Sequence, residues 1–187
     1  YDQDLKPCRD IIYKMTEALI HRGPDEHGYY FSDNVLLGHR RLVVIDPEGG
    51  KQPMTKKVGP YTYTIVYNGE IYNTDEVRNA LKEKGYTFTS HCDTEVVLVA
   101  YMEWGENCTT YLNGIFAFGV WEEKSKSLFL ARDRLGVKPL FYANVKGSFI
   151  FGSEIKALLA FPDLEPIMDE KGLLELFSLG PSRVPGS

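Results

Sequence analysis

Three short segments of this sequence carry polar groups that suit the recognition of a small zwitterion. Arg41 opens an apolar run, Asn68-Gly69-Glu70 follows a strongly β-prone run, and Asp93 precedes an apolar helix. A guanidinium can hold a carboxylate through two parallel hydrogen bonds, and a carboxylate can accept bonds from an ammonium. A side-chain amide and an unobstructed glycine N–H that converge on one point would form an oxyanion hole.

Each of these residues also has an ordinary structural explanation. Asn-Gly is a strong hairpin signal, so the tripeptide alone favours a turn at Asn68-Gly69. Against that turn, the residues that follow indicate a short extension into a capped helix. An arginine beside a strand is usually a solvated charge, and Asp93 fits a helix N-cap. The residues alone therefore leave both interpretations open.

Composition limits the class of protein. The 187 residues are 43% hydrophobic and 25% charged with a net charge of −5, which is typical of a soluble globular domain. No apolar run approaches the roughly 20 residues of a membrane span, and no basic patch indicates a nucleic-acid partner. Three cysteines argue against a disulfide framework and favour a cytoplasmic setting. The histidines lack metal-ligand spacing, so no metal site is predicted.

The surrounding segments predict helices and antiparallel strands. Strands are expected over residues 29–31, 35–37, 42–45, 61–67, 115–121, 128–131, 141–143 and 149–151, with a loop over 46–57. Helices are expected over 8–21, 74–84, 93–104, 154–161 and shortly after residue 169. Because neighbouring strands are joined by short turns, their sheets should be antiparallel. Two strand clusters separated by a helical pair predict two stacked sheets with helices on the outer faces.

Seven segments in a fixed order carry a resemblance to a known family. They are residues 21–25, 41–46, 52–54, 67–73, 92–95, 113–118 and 132–140, which read HRGPD, RLVVID, QPM, YNGEIYN, CDTE, NGIFAF and RDRLGVKPL. In these segments the chain closely resembles the N-terminal glutaminase domain of glutamine-hydrolysing asparagine synthetases, which are class II glutamine amidotransferases. The resemblance extends from about His21 to Leu159.

The resemblance implies both a fold and an activity. The family has the N-terminal-nucleophile hydrolase fold, an α+β four-layer α/β/β/α sandwich with two antiparallel sheets. Its members hydrolyse the side-chain amide of L-glutamine through a thioester on an N-terminal cysteine. The ammonia serves ATP-dependent asparagine synthesis in a C-terminal synthetase domain, so ATP and Mg are expected there and no cofactor is expected in this domain. A homodimer is compatible with this assignment.

The resemblance also implies a role for each candidate residue. Arg41 would bind the α-carboxylate of glutamine. Asn68 and Gly69 would form the oxyanion hole, and Glu70 and Asp93 would bind the α-ammonium. The backbone that lines the site beside the arginine would be that of Leu42, Val43, Val44 and Ile45.

The first residue departs from the family pattern. Family members begin the mature chain with the nucleophilic cysteine, whereas this sequence begins at Tyr1. Cys8 lies near the first predicted helix without a free α-amine, Cys92 fits a buried apolar position, and Cys108 stands in no motif. We therefore expect the nucleophile and its strand to be absent from residues 1–187, and these residues alone to lack glutaminase activity.

The last residues predict a boundary. We expect an amidotransferase domain over residues 1–160 and the start of a connector to a synthetase domain over 161–187. Leucines 173, 174 and 176 and Phe177 either close this domain's core or pack on the synthetase domain, and the segment 132–140 is either a plain loop or a docking surface. Two alternative functions stay open: an amidotransferase domain serving another acceptor, and a non-catalytic binding domain of the same fold.

Overall fold

The computed structural model describes residues 8–43 and 50–179. Its helices are α1 (Arg9–Glu17), α2 (Thr74–Glu83), α3 (Asp93–Trp104), α4 (Ile155–Leu159) and α5 (Glu170–Leu179), with 3-10 turns at Ile20–Arg22 and Gly105–Thr110. Its strands are β1 (Glu26–Phe31), β2 (Leu36–Arg41), β3 (Met54–Val58), β4 (Tyr61–Ile71), β5 (Gly114–Glu122), β6 (Ser127–Arg132), β7 (Phe141–Val145) and β8 (Ser148–Gly152). Over these two ranges, we find no helix with the length and apolarity needed to cross a bilayer.

The strands form two antiparallel layers that pack face to face. One layer is a four-stranded sheet in the order β3-β4-β5-β6, and the other contains the hairpins β1-β2 and β7-β8. Leu37 of β2, Val66 of β4 and Trp121 of β5 are buried together, and Phe151 of β8 packs against them. Both hairpins therefore lie on the same face of the large sheet.

Helices cover both outer faces. Side chains of α2 and α3, including Val77, Leu81 and Val97, form the main core with the large sheet. On the other side, Met15 of α1 and Leu158 of α4 pack with apolar residues of the β7-β8 hairpin. The order is thus α/β/β/α, and the predicted α+β sandwich is confirmed. The expected second sheet is divided into two separate hairpins among the described residues.

Two predicted boundaries were wrong. The segment assigned to a loop contains β3, a lysine-bearing edge strand that pairs with β4 from Met54↔Ile65 to Val58↔Tyr61; lysines are common on sheet edges because they oppose further pairing. Residues 42 and 43 of the strand predicted over 42–45 are not in a strand. Strand β2 ends at Arg41, and the Val43 N–H donates to Asp25 Oδ2 at 2.8 Å. The rest of that prediction, residues 44 and 45, lies outside the described residues.

Helix α3 is a buried helix, as its sequence of apolar residues on all sides requires. Thr94 to Ala100 are all buried. The helix begins at the predicted residue, Asp93, and is followed by Gly105 at a positive φ of 57°. Because its sides contact core residues throughout, the position of its first residue is fixed by packing.

Glu95 holds the loop that leads into α3. Its carboxylate is 1% exposed and accepts hydrogen bonds from Thr89 N at 2.9 Å, Ser90 N at 2.7 Å and Ser90 Oγ at 2.6 Å. Lys56 Nζ lies 2.7 Å from its Oε1. Burial acts to raise the pKa of Glu95, but the bonds from Lys56, Ser90 and Thr89 outweigh it and lower this pKa to about 2.

Arg78 binds the backbone carbonyl groups of the same loop. Its Nη1 donates to Ser90 O at 2.9 Å and its Nη2 to Cys92 O at 3.1 Å, while its guanidinium lies over the Phe88 ring. Glu95 therefore satisfies N–H groups of the loop and Arg78 satisfies its carbonyls. The backbone just before Asp93 is held from both sides.

Replacing Glu95 by Gln should destabilise the fold in a pH-dependent way. The drop of its pKa from 4.5 to about 2 corresponds to about 3 kcal/mol of stability. A lowered carboxyl pKa stabilises the folded state above the unfolded pKa, and this contribution disappears as pH falls through the folded value. Denaturant unfolding should show Glu95→Gln about 3 kcal/mol less stable than the wild type near pH 7, with the difference shrinking between pH 4.5 and 2.

Glu103→Gln is the matched control, because Glu103 forms its ion pair with Lys84 on a more exposed surface. It should cost a small fraction of the Glu95 effect. A difference for Glu95→Gln that does not change with pH would contradict the assignment of the stability to the ionised carboxylate.

Candidate functional site

A cleft of about 1750 Å³ lies between the two strand layers. Six of the predicted site residues line it: Arg41, Leu42, Asn68, Gly69, Glu70 and Asp93. Val43 is described but does not line the cleft, while Val44 and Ile45 lie outside the described residues. Segments far apart in the sequence therefore meet at one opening.

Asn68 and Gly69 do not form a turn; they lie within β4, which continues to Ile71. The hairpin interpretation fails because β5 pairs with this stretch, with Asn68↔Ala117 and Ile71↔Gly114 in register. Side chains alternate along a strand, and Val66 points to the second layer of strands. Asn68 and Glu70 share that face and point into the cleft, where the described residues offer the Asn68 amide no hydrogen-bond partner.

Gly69 occupies a position at which two backbones approach closely. A Cβ there would lie 2.4 Å from Ile115 O and 2.8 Å from Phe116 Cα. Because backbone atoms cannot yield as a flexible side chain can, the pairing of β4 with β5 requires glycine at this position.

The Gly69 N–H points away from β5. Phe116, which lies opposite Gly69 on β5, directs both its N–H and its C=O to Asp133, the residue that follows β6. Phe116 N donates to Asp133 Oδ2 at 3.2 Å, and Asp133 N donates to Phe116 O at 2.7 Å. Gly69 and Phe116 are therefore a non-hydrogen-bonded pair. Since the β3 pairing ends at Met54↔Ile65, no strand within the described residues bonds this N–H, which lies at the sheet edge beside the cleft.

Arg41 is a buried, ion-paired guanidinium and not the solvated charge that a lone arginine suggests. It is 9% exposed, and its Nη1 donates to Glu26 Oε2 at 2.9 Å. Glu26 is its direct partner in the β1-β2 pairing. The sequence analysis missed Glu26, because its charge becomes meaningful only once the register of the hairpin is known.

Asp93 does not cap α3 with its side chain. The N-cap residue is Cys92, and no side-chain cap bond forms there. Instead, Asp93 Oδ2 accepts hydrogen bonds from the Tyr67 hydroxyl at 2.6 Å and from Ile71 N at 3.3 Å. The carboxylate is thus bound to the edge of β4, and its Oδ1 has no protein partner in the described part of the chain.

Tyr67 is a link between three elements. Burial, followed by the charge and hydrogen bond of Asp93, raises its pKa far above the ordinary value, so the hydroxyl remains a donor. Its backbone N–H donates to Gln52 Oε1 at 2.6 Å, and its carbonyl accepts bonds from Gln52 Nε2 at 3.0 Å and His39 Nε2 at 3.1 Å. The only sequence signal for Gln52 was the QPM segment, and His39 had none.

His39 is neutral at physiological pH. Burial, with a smaller contribution from the Arg41 charge, lowers its pKa to about 4 despite the bond to Tyr67 O. Because a carbonyl only accepts, the bond assigns the proton to Nε2. Its Nδ1 is buried without a partner among the described residues.

The cysteines differ in their surroundings. Cys108 is fully buried, and burial raises its pKa to about 12. Cys92 is buried in the lining of the cleft with its Sγ 3.0 Å from Ser90 Oγ, and Cys8, partly buried at the start of α1, also lines the cleft. Across residues 8–43 and 50–179, no group of three or more His, Cys, Asp and Glu side chains is arranged to hold a metal ion.

Comparison with known proteins identifies the family of the chain. The family described as "Glutamine amidotransferase domain" matches residues 2–187. The chain is 55% identical over 187 residues to asparagine synthetase [glutamine-hydrolyzing] 3 of Bacillus subtilis (strain 168), covering 100% of this chain and 30% of the relative. It is 38% identical over 151 residues to an asparagine synthetase [glutamine-hydrolyzing] of Zea mays, covering 80% of this chain and 25% of the relative.

Solved structures share the fold at low sequence identity. A glutamine phosphoribosylpyrophosphate amidotransferase from B. subtilis aligns with a TM-score of 0.69 and 19% identity over 86% of this chain and 42% of that chain. The chain spans less than a third of the length of its B. subtilis relative. On the match across nearly all of its length, the chain belongs to the glutamine amidotransferase domain family.

Proposed function

We propose that this chain is the glutaminase part of a glutamine-dependent asparagine synthetase. The observation that carries the proposal is the single cleft lined by a guanidinium, carboxylates, a side-chain amide and an edge N–H. The identity to asparagine synthetases from a bacterium and a plant favours asparagine synthesis as the use of the ammonia. The other acceptors considered from the sequence have no comparable support.

The charges of the cleft match those of L-glutamine. Arg41 would bind the α-carboxylate, with Glu26 holding the guanidinium in orientation. Asp93 would receive the α-ammonium on Oδ1, because its Oδ2 is occupied by Tyr67 and Ile71. Glu70, exposed on the cleft face of β4, would add a second negative charge.

The reaction would proceed through an acyl-enzyme. A thiolate attacks the side-chain carbonyl carbon, and the oxygen becomes an oxyanion that Asn68 and the Gly69 N–H stabilise. The C–N bond then breaks, the nitrogen leaves as ammonia after protonation, and water hydrolyses the thioester to glutamate and free thiol. The peptide N–H at the sheet edge and the amide on the cleft face supply the two donors that this intermediate needs.

The thiolate would come from an N-terminal cysteine outside residues 1–187. Cys108 is buried with a raised pKa, which suppresses the thiolate. Cys92 and Cys8 line the cleft, but each is preceded by other residues and therefore lacks the free α-amine that would serve as base. We propose that the substrate-binding part of the site is contained in this chain and the nucleophile is not.

The C-terminal residues would connect to a synthetase domain. Leu174 and Phe177 on α5 are 67% and 80% exposed, so they do not close this domain's core. The last apolar residue packed on the α1-α4 cluster is Leu164. We propose a domain over residues 1–160 followed by a connector from 161, of which Phe161 and Leu164 still pack on the domain while the synthetase domain would cover the exposed apolar side chains of α5.

The segment 132–140 is a well-organised loop. Asp133 accepts bonds from Val137 N at 2.9 Å and Lys138 N at 3.0 Å, and Arg132 donates to carbonyls of the same loop. Its tip residue, Leu135, is 89% exposed. A loop held by internal hydrogen bonds that presents an exposed apolar tip supports the docking interpretation.

Arg41→Ala should weaken glutamine use in the full-length protein. Loss of a buried charge pair with the α-carboxylate should raise KM roughly 30- to 1,000-fold. The KM for glutamine is measured from the steady-state rate of glutamate formation. Lys82→Ala removes a positive charge from the exposed face of α2, outside the cleft lining, and should leave KM unchanged. An unchanged KM in a folded Arg41→Ala protein would contradict the assigned role.

Asn68→Ala should lower turnover more than binding. Removing one oxyanion donor costs roughly 10²–10³-fold in kcat, because the interaction forms fully only in the transition state. Asn144→Ala removes an exposed amide from β7 and serves as the control. A rise in KM with kcat unchanged would assign Asn68 to ground-state binding instead.

Residues 1–187 alone should produce no glutamate from glutamine, while the full-length protein should do so. The reason is the proposed location of the nucleophile. Circular dichroism confirms that the short form is folded, and coupled detection of glutamate measures turnover. Glutamate formation by the folded short form would show that one of its own residues is the nucleophile.

A further inference from the structure

The side chain of Gln52 takes the place of a strand residue at the edge of β4. Pairing with β3 ends at Met54↔Ile65, so the next outward-facing peptide of β4 is that of Tyr67. Gln52 Oε1 accepts from Tyr67 N at 2.6 Å, and Gln52 Nε2 donates to Tyr67 O at 3.0 Å. These two bonds reproduce the paired N–H and C=O bonds of an antiparallel ladder.

This substitute for a strand ends after one residue. The next outward-facing peptide group is the Gly69 N–H, two residues further along β4. A continuing strand would bond that N–H, whereas a single carboxamide satisfies Tyr67 and leaves the Gly69 N–H with no partner from the described part of the chain. The Gln52 side chain therefore extends the sheet up to the proposed oxyanion hole and stops there.

Gln52 is itself held in place. Its backbone carbonyl packs against Gly28 of β1, where a Cβ would lie 2.1 Å from Gln52 O. Its Nε2 also approaches Thr94 Oγ1 at 3.4 Å, on the residue that follows Asp93. His39 adds a second bond to the same Tyr67 carbonyl at 3.1 Å.

The held carbonyl belongs to the peptide plane that joins Tyr67 to Asn68. Because a peptide is planar, fixing its C=O also fixes the N–H and Cα of the next residue. The Asn68 side chain starts from that Cα, and Gly69 follows it directly. The orientation of both proposed oxyanion donors is thus coupled to the Gln52 carboxamide.

We propose that Gln52 is a positioning residue for the oxyanion hole. The proposal rests on the proposed function and assigns Gln52 no contact with substrate. It acts through the Tyr67–Asn68 peptide, by holding the plane of that peptide while leaving the following N–H unbonded. Its loss should therefore affect the transition state more than the binding of glutamine.

The test replaces Gln52 by Met and by Glu in the full-length protein. Gln52→Met keeps the side-chain length and removes both bonds, so kcat should fall roughly 10- to 100-fold with little change in KM. Gln52→Glu keeps an acceptor for Tyr67 N but places a carboxylate oxygen against the Tyr67 carbonyl, so its kcat should fall at least as far as that of Gln52→Met. Thr55→Val removes the Thr55–Thr64 side-chain bond elsewhere on the β3-β4 edge and should lower stability without changing kcat.

A second measurement separates positioning from general loosening of the fold. An aldehyde analogue of glutamine forms a tetrahedral adduct with a thiolate and needs the oxyanion donors, whereas the product glutamate does not. Gln52→Met should weaken aldehyde inhibition by about the factor lost in kcat/KM and leave glutamate inhibition unchanged.

The outcomes distinguish the two proposals. If the wild-type protein hydrolyses glutamine and Gln52→Met has an unchanged kcat, the positioning role is overturned and the proposed function stays intact. The same holds if Gln52→Met weakens inhibition by the aldehyde and by glutamate equally. A folded wild-type full-length protein without glutamine hydrolysis overturns the proposed function, and the positioning role with it.

Discussion

The pairing of β4 with β5 is the constraint on which the candidate site depends. Across Gly69 and Phe116 the two backbones are so close that no Cβ fits, and this pair makes no hydrogen bonds across the strands. The consequence is a strict division of β4. Ile65, Tyr67 and Ile71 direct their side chains to the helices. The peptide groups of Tyr67, Gly69 and Ile71 point to the sheet edge, while the side chains of Asn68 and Glu70 face the cleft.

Within residues 8–43 and 50–179, the edge of β4 beyond β3 is completed by side chains and not by another strand. Gln52 and His39 bond the Tyr67 peptide, and Asp93 bonds the Ile71 N–H and the Tyr67 hydroxyl. These residues come from β2, from the segment before β3 and from the start of α3. A backbone edge that would otherwise recruit a strand thus becomes the wall of a polar cleft.

Buried charged groups in this region are paired with local partners. Arg41 has Glu26, and Glu95 has Lys56 together with four N–H and O–H donors from Thr89 and Ser90. Burying a charge is costly unless it is paired and hydrogen-bonded, so these networks also define the loop geometry around Asp93. The candidate site is therefore supported by side chains outside the set of predicted site residues, such as Glu26 and Lys56.

The sequence by itself determined most of the helices and strands, the layered α+β fold and the set of candidate residues. The apolar run that follows Asp93 predicted the start of α3 correctly, because a helix that is apolar on all sides is recognisable within a short window of sequence. The seven ordered segments pointed to the family, which the match over residues 2–187 confirms. The proposed roles of the individual residues remain predictions.

Only the tertiary structure decided how these residues meet. The turn expected at Asn68-Gly69 became part of a strand, because a partner more than 40 residues away along the chain supplies the pairing. The β3 strand formed where lysines suggested a loop, and Arg41 became buried against Glu26. Gln52 and His39 gained their roles from contacts with a single distant peptide. Such contacts depend on register and layer packing, which a local pattern of residues does not encode.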